Sequence, residues 1–177
     1  GSVIVDAGNL TLPASTSSVG VVKIGGGNYL YGYGTSNSFI ATAGNFTASG
    51  DSNLGTGANS STALTTGVQN TAYGVWALAS TTTGSRNTAI GYSALVGNAQ
   101  GVENVAIGWN AQGQLGFTNV NTSFNTSVGY ETMRRLGNTG NGTTQGFRNT
   151  AIGWHCAYDL ERGSDNTYIG HNAGLNN

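Results

Sequence analysis

The stretch Asn87-Thr88-Ala89-Ile90-Gly91-Tyr92-Ser93-Ala94-Leu95 returns, in edited form, throughout the second half of the chain. Related stretches begin at Asn70, Asn104, Asn125, Asn149 and Asn166. The intervals between successive leading Asn positions are 17, 17, 21, 24 and 17. A fixed period of this kind indicates stacked repeats, in which each unit buries the apolar surface of its neighbour. The sequence therefore predicts one structural unit whose length is set by the shortest interval and which is lengthened twice by insertions.

Each unit has the pattern of a short strand that ends at a corner. Because side chains alternate along a strand, Thr and Ile of Asn-Thr-Ala-Ile-Gly share one face, and Asn, Ala and Gly share the other. The β-branched face suits a pleated, half-buried surface. We expect both faces to be buried, the small-residue face by close approach of another backbone. The Gly permits a sharp corner, after which the pattern predicts a second short strand and a polar loop.

The Asn and Gly residues that define the repeat are Asn70, Gly74, Asn87, Gly91, Asn104, Gly108, Asn125, Gly129, Asn149, Gly153, Asn166 and Gly170. The Asn side chain can bond neighbouring backbone groups and tolerates left-handed geometry, as turns require. We therefore expect a turn at each leading Asn.

The composition favours an all-β repeat protein. Of 177 residues, 30 are Gly and 7% are charged, against about 25% charged in ordinary soluble domains. No window has the apolar period of about 3.6 residues that marks a helix, so helices are not expected. The sequence predicts a parallel β-roll or β-solenoid over residues 35–177, preceded by an N-terminal strand or hairpin cap over residues 1–34.

The charge pattern argues against two classes of partner. The formal net charge is -1, and no run of Lys or Arg is present, which disfavours nucleic acid as a partner. No apolar run approaches the roughly 18 residues of a membrane-spanning helix, so membrane insertion is not expected.

Two enlarged connections, residues 113–124 and 134–148, interrupt the regular period. Loops on a rigid scaffold are where binding usually occurs. The predicted ligand-binding residues lie in or beside these insertions: Trp109, Phe117, Arg134, Arg135, Phe147, Arg148 and Trp154.

Aromatic residues recur directly after the corner Gly, at Tyr92, Trp109, Tyr130 and Trp154. Stacked units would bring these rings into one column. The column is expected either to pack inside the roll or between chains, or to form a strip on which sugar rings stack.

No catalytic or metal site stands out. A zinc site needs three or four ligands, but the only imidazoles are His155 and His171, and the only thiol is Cys156, which stands in a column of small residues and is expected to be a buried substitute for Ala. The carboxylates are scattered, so an acid/base pair would need groups from different units or chains. The sequence therefore predicts no metal, no cofactor and no enzymatic activity.

The pattern Asn-x-Ala-Ile-Gly-x-x-Ala, closest at residues 87–94 and 104–111, resembles the repeat of trimeric autotransporter adhesin heads. The longer pattern Asn-Thr-Ala-Ile-Gly-Tyr-x-Ala-Leu is more similar to repeats of phage tail fibres and related bacterial fibre proteins. The resemblance covers roughly residues 8–177, although the longer period and the insertions depart from the adhesin heads. It implies a left-handed parallel β-roll that associates in threes.

These observations predict a segment of a homotrimeric fibre, extracellular, on a cell surface or on a virion. Its expected role is adhesion or receptor recognition, with a host or prey cell-surface glycan or envelope protein as the partner. The Ala/Gly column is expected to face the partner chains. The alternatives are a purely structural shaft, a glycan-cleaving enzyme of the tailspike kind, and an ice-binding solenoid. The Thr column suggests ice binding, whereas burial of the Ile residues on the same face would oppose it.

Overall fold

The structure of the protein, a computed structural model, describes residues 22–24, 27–31, 36–45, 47–113, 122–137 and 146–175, with backbone only for residues 22–31. All of the regular secondary structure in these segments is β. The strands form one sheet whose spatial order is the chain order. They are β1 (Val22–Ile24), β2 (Gly27–Tyr31), β3 (Ser38–Ile40), β4 (Leu54–Thr56), β5 (Thr71–Tyr73), β6 (Thr88–Ile90), β7 (Val105–Ile107), β8 (Thr126–Val128), β9 (Thr150–Ile152) and β10 (Thr167–Ile169).

Strands β3 to β10 are parallel and in register, so that equivalent residues of successive repeats lie side by side. Thr71 pairs with Thr88, and Ala72 pairs with Ala89. Because each strand pairs with the next one along the chain, the backbone makes one turn per repeat. The predicted β-solenoid is therefore confirmed, with the period of 17 that separates Asn70 from Asn87. We call each turn, from one leading Asn to the next, a rung.

The N-terminal strands run differently. β1 and β2 form an antiparallel hairpin, and β2 pairs antiparallel with β3. Most of the segment 1–34, which the sequence assigns to a cap, lies outside the described residues.

The interior of the roll is lined by the small face of each strand. Ala72, Ala89 and Ala106 are fully buried within the single chain, whereas 37% of Ile90 and 69% of Ile169 are exposed. The prediction that the Thr/Ile face is buried within the chain is therefore wrong, and so is the prediction that the Ala/Gly column faces partner chains. The physical reason is that each rung is narrow. The returning backbone of the same rung covers the small face of the strand and leaves no room there for larger side chains.

Larger interior rings occur at both ends of the described parallel stack. Phe39 stands at the Ala position of β3 and is fully buried with Ala43, Ala48 and Leu64. Tyr168 stands at the same position in β10 and packs against a cluster that contains Met133 and Leu136. The aromatic rings thus fill the interior at the ends of the Ala column.

The second half of each rung is not the predicted second strand. In the rung of Asn87, Ser93 and Leu95 have φ angles of 54° and 52°. Their neighbours close four-residue turns, such as the one with a hydrogen bond from Ala94 N–H to Gly91 O. Leu95 N–H donates to Ala111 O of the next rung at 3.0 Å. Alternating turn geometry, rather than extended backbone, carries this half of the rung and directs Leu95 into the core.

A buried ladder of Asn side chains joins the rungs. Asn70 Oδ1 accepts hydrogen bonds from the backbone N–H and the Nδ2 of Asn87, at 3.0 and 3.1 Å. Asn87 Nδ2 also donates to Gly101 O at 2.8 Å. The asparagine ladder comprises Asn37, Asn53, Asn70, Asn87, Asn104, Asn125, Asn149 and Asn166. The left-handed residue at this turn is the one before the Asn, for example Arg86 with φ of 58°.

All but the last of the corner glycines from Gly57 to Gly170 leave no space for a side chain. Gly91 has φ of 129°, and a Cβ added there would overlap the carbonyl of Gly108 in the next rung. Gly170 has a similar φ of 123°, but a Cβ at this residue would meet nothing within 4 Å. Substitution of Gly170 therefore reports the cost of the backbone angle alone, whereas substitution of Gly91 adds the cost of the close contact.

We expect Gly91→Ala to lower the free energy of unfolding by about 1–3 kcal/mol more than Gly170→Ala does. This difference is the usual cost of overpacking. Both variants share the unfavourable φ, so the difference reports the contact with the next rung. Denaturant unfolding followed by circular dichroism measures it. Equal losses in the two variants would contradict the close stacking of the corners.

We expect Asn87→Ala to cost about 2–6 kcal/mol, because it leaves the N–H of Asn104 and the carbonyl of Gly101 buried without their partner, at about 1–3 kcal/mol each. The same unfolding experiment measures the loss. Thr83→Ala, at an exposed loop residue, is the control and should change the stability little. A loss as small as that of the control would show that the ladder contributes nothing.

Candidate functional site

The outward positions of the strands form a continuous, uncharged face. We call this surface the outer strand face. It consists of the second and fourth residues of each rung: Ser38, Leu54, Thr71, Thr88, Val105, Thr126, Thr150 and Thr167, with Ile40, Thr56, Tyr73, Ile90, Ile107, Val128, Ile152 and Ile169. At the fourth position, the exposed fraction is 61% for Tyr73, 36% for Ile107 and 40% for Ile152. A regular apolar strip therefore lies open along one side of the chain.

The aromatic column lies beside this face, on the outer surface of the roll. Its ring centroids are 5.8 Å apart for Tyr92–Trp109, 4.9 Å for Trp109–Tyr130 and 6.0 Å for Tyr130–Trp154, and the planes are within about 10° of parallel. His171 continues the stack at 4.8 Å from Trp154. The four rings are 40–45% exposed, so packing of the column inside the roll is excluded. Because each inner ring is covered on both faces by its neighbours, the column presents ring edges to its surroundings.

Charged residues line the other end of the strands, directly before the ladder Asn. Arg86 Nη2 lies 2.7 Å from Glu103 Oε1. Arg148 Nε and Nη2 lie 2.6 and 2.9 Å from the two carboxylate oxygens of Asp165. The uncharged outer strand face is thus bordered by ion pairs on one side and by aromatic rings on the other.

The predicted ligand-binding Arg134 and Arg135 have partners within the chain. Arg134 Nε lies 3.0 Å from Glu131 Oε1, although its N–H is not directed at that oxygen, and its Nη1 donates to the hydroxyl of Tyr158 at 3.1 Å. Arg135 pairs with Asp159 and Glu161. Their charges are therefore compensated, which weakens them as anchors for an anionic ligand.

The predicted site residues do not converge on one pocket. Trp109 and Trp154 belong to the same column but are separated by Tyr130. Phe147 and Arg148 lie just before β9, at the border of the outer strand face that is opposite the aromatic column. Phe117 lies outside the described residues, as do residues 114–121 and 138–145 of the two insertions.

A pocket that the sequence analysis did not identify lies next to the first ring of the aromatic column. It has a volume of about 350 Å³, and Trp76 and Tyr92 form its aromatic walls, while Ala79 and Val96 contribute small apolar groups. The available sequence signal was Trp76 itself. At the equivalent place, the second residue after the corner Gly, the other rungs carry Asn59, Ser93, Asn110, Glu131, His155 and Asn172.

His155 and Cys156 are engaged in structural contacts. His155 Nε2 lies 2.9 Å from Glu131 Oε2. Cys156 is fully buried, as predicted, and burial raises the pKa of its thiol. Among the described residues, no group of three or more His, Cys, Asp or Glu side chains is placed to bind a metal ion.

Comparison of the chain with protein-family models, curated proteins and solved structures finds no match. The described segments include no helix with the length and apolar character needed to cross a membrane. A functional proposal therefore depends on the surfaces described above.

The Arg148–Asp165 pair predicts a specific titration. The hydrogen bond from Arg148, together with its charge, holds the pKa of Asp165 below its ordinary value. A depressed carboxylate pKa adds stability at a pH above the unfolded pKa, and this contribution is lost as the pH falls through the folded pKa. Carbon-detected NMR should show the Asp165 pKa rising towards its ordinary value in Arg148→Ala. Arg86→Ala is the matched control and should leave Asp165 unchanged; an equal shift in both variants would contradict a specific pair.

Proposed function

We propose that this chain is a segment of a homotrimeric fibre that acts outside the cell or on a virion in adhesion or receptor recognition, without enzymatic activity. The observation that carries the proposal is the exposed outer strand face. Its Ile residues are regular, uncharged and open in the single chain, and a surface of this kind generally marks an interface.

The face has the size of a functional surface patch. Eight strands at about 4.8 Å make a strip roughly 34 Å long, and the span from the second to the sixth residue of a rung makes it about 13 Å wide. The area is on the order of 450 Å², within the range of the largest patches that monomers expose, about 300–600 Å². This area already includes the aromatic column at the sixth residue, and the flanking ion pairs extend it towards the roughly 800 Å² per partner of a standard interface.

The arrangement of the face resembles the anatomy of an interface. Its centre is apolar, with Ile90, Ile107 and Ile152, and its border carries Arg86–Glu103 and Arg148–Asp165. Interfaces generally place apolar groups in the core and polar groups at the rim. The proposed trimer therefore uses the outer strand face, since the Ala/Gly column is already covered within each chain.

The proposed recognition surface includes the two enlarged connections, which are inserted into consecutive rungs between β7 and β9. Loops on a rigid scaffold tolerate variation and commonly carry binding. The target that we propose is a host or prey cell-surface glycan or an envelope protein. Binding of the purified protein to intact cells and to a glycan array tests this role, and a lack of binding to any surface would leave only the structural shaft.

An ice-binding solenoid is a second candidate, and one observation favours it. The sequence argument against it assumed that the Ile residues beside the Thr column are buried, but they are exposed. Half-exposed Thr residues and exposed Ile residues therefore stand in two neighbouring columns on the single chain. In a trimer this face would be covered, so thermal hysteresis is expected only from a monomeric protein.

The solution mass decides between these arrangements. We expect light scattering to give about three times the chain mass of 18.0 kDa. Ile107→Lys places a charge in the middle of the outer strand face and should shift the protein towards the monomer, because an unpaired charge in an interface is costly. Thr83→Lys, on an exposed loop outside the face, should keep the mass of the unmodified protein. A monomeric unmodified protein at micromolar concentration would overturn the trimer.

A further inference from the structure

The aromatic column begins at Tyr92, because the rung before it has no ring at the same position. One face of the Tyr92 ring is therefore not covered by a neighbouring ring of the column. Tyr92 stacks on Trp109 on one side. In the preceding rung, the same position is occupied by Val75, which has no ring. Tyr92 lines the pocket of about 350 Å³ that lies between these rungs. It therefore differs from Trp109 and Tyr130, whose two faces are both covered by neighbouring rings.

Trp76 forms the second aromatic wall of this pocket. It has φ of 63°, a left-handed conformation that bulky side chains seldom adopt. Each of the seven rungs from Asn53 onwards has a left-handed residue at this place, but the others use smaller or polar side chains such as Asn59 and Asn110. Trp76 is 43% exposed, so core packing does not explain the choice of Trp. Trp and Tyr are enriched among the few residues that carry most of the binding energy at interfaces.

The remaining pocket lining is uncharged. The hydroxyl-bearing residues Thr62, Ser80 and Ser93 come from three successive rungs, and no Asp, Glu, Lys, Arg or His lines the pocket among the described residues. Hydroxyl groups can both donate and accept hydrogen bonds. Pockets for small molecules are generally concave and largely apolar, with a few polar groups that fix orientation, and their volumes begin at about 300 Å³.

We propose that the pocket between Trp76 and Tyr92, which we call the Trp76 pocket, binds a neutral pyranose ring. The apolar face of a pyranose suits an exposed aromatic face, and its hydroxyl groups suit the Ser and Thr side chains. The uncharged lining selects against uronic acids, sialic acids and phosphorylated sugars, because a buried or half-buried anion needs a positive partner. This inference rests on the proposed recognition function and specifies the ligand class of one site.

Saturation-transfer NMR on the full chain tests the pocket directly. The probes are the methyl glycosides of glucose, galactose, mannose and N-acetylglucosamine, with methyl glucuronide as the acidic comparison. We expect saturation of at least one neutral probe and none of the glucuronide. Failure of every neutral probe to bind, or equal binding of the glucuronide, would overturn the proposal.

Two variants locate the site. Trp76→Ala should weaken binding at least tenfold, whereas Trp76→Phe, which keeps a ring, should retain most of it. Thr62→Trp fills the pocket from its exposed side without changing Trp76 and should also abolish binding, so the test does not depend on the folding of one variant. Thr83→Lys is the surface control and should bind as the unmodified protein does. Unchanged binding in both Trp76→Ala and Thr62→Trp would place the sugar elsewhere and overturn the assignment.

The solution mass of each variant keeps the two proposals apart. Sugar binding by a monomeric protein would overturn the trimer and leave the Trp76 pocket intact. A trimer that binds none of the neutral probes would overturn the pocket and leave the fibre.

Discussion

The asparagine ladder is the interaction on which the rest of the structure depends. A buried amide must satisfy its donors and acceptor, and each Asn does so by bonding the next Asn and a nearby carbonyl. In the regular rungs this carbonyl lies 14 residues further on, as for Asn70 and Gly84. In the lengthened rungs it lies 18 residues on, at Thr122, and 21 residues on, at Gly146. The three residues before the next Asn keep their places, so each insertion precedes that closing segment in the chain. The ladder therefore fixes the register while the connections vary in length.

The narrow turn that the ladder closes also decides which side chains face outwards. Only Ala, Ser or Gly fits on the inner side of most strands, and Leu78, Leu95 and Met133 fill the core from the opposite half of the rung. Ile and Thr therefore lie on the outside of the chain. An apolar sheet face of this length is a candidate interface, which connects the internal geometry of one chain to the proposed trimer. The same stacking aligns the aromatic residues into a column and covers their faces, except where Val75 interrupts it. The regular repeat thus builds the scaffold, and its irregular places offer room for ligands.

The stacking of rungs also pairs the charged residues of the surface. Arg86 with Glu103 and Arg148 with Asp165 are each one rung apart, so the period itself brings opposite charges together. Arg134 and Arg135 likewise find partners on the following rung, at Tyr158 and Asp159. The stack compensates charges that look free in the sequence, which leaves aromatic and hydroxyl groups as the better contacts for a ligand. A neutral sugar is consistent with such a surface, whereas a strongly anionic target would have to compete with these carboxylates.

The sequence by itself determined the repeat, its period, the all-β class, the strand at Asn-Thr-Ala-Ile-Gly and the burial of Cys156, because these depend on residue type and spacing. It did not determine which face of the strand is inside, since alternation defines two faces but gives no sign of the width of the turn. The second strand predicted for each rung was wrong, because left-handed residues such as Ser93 and Leu95 occupy that half of the rung. The Trp76 pocket was decided only by the tertiary structure, because Thr62, Trp76 and Tyr92 belong to three different rungs. Parallel stacking in register brings them together, and that proximity depends on the ladder bonds between rungs rather than on any local sequence pattern.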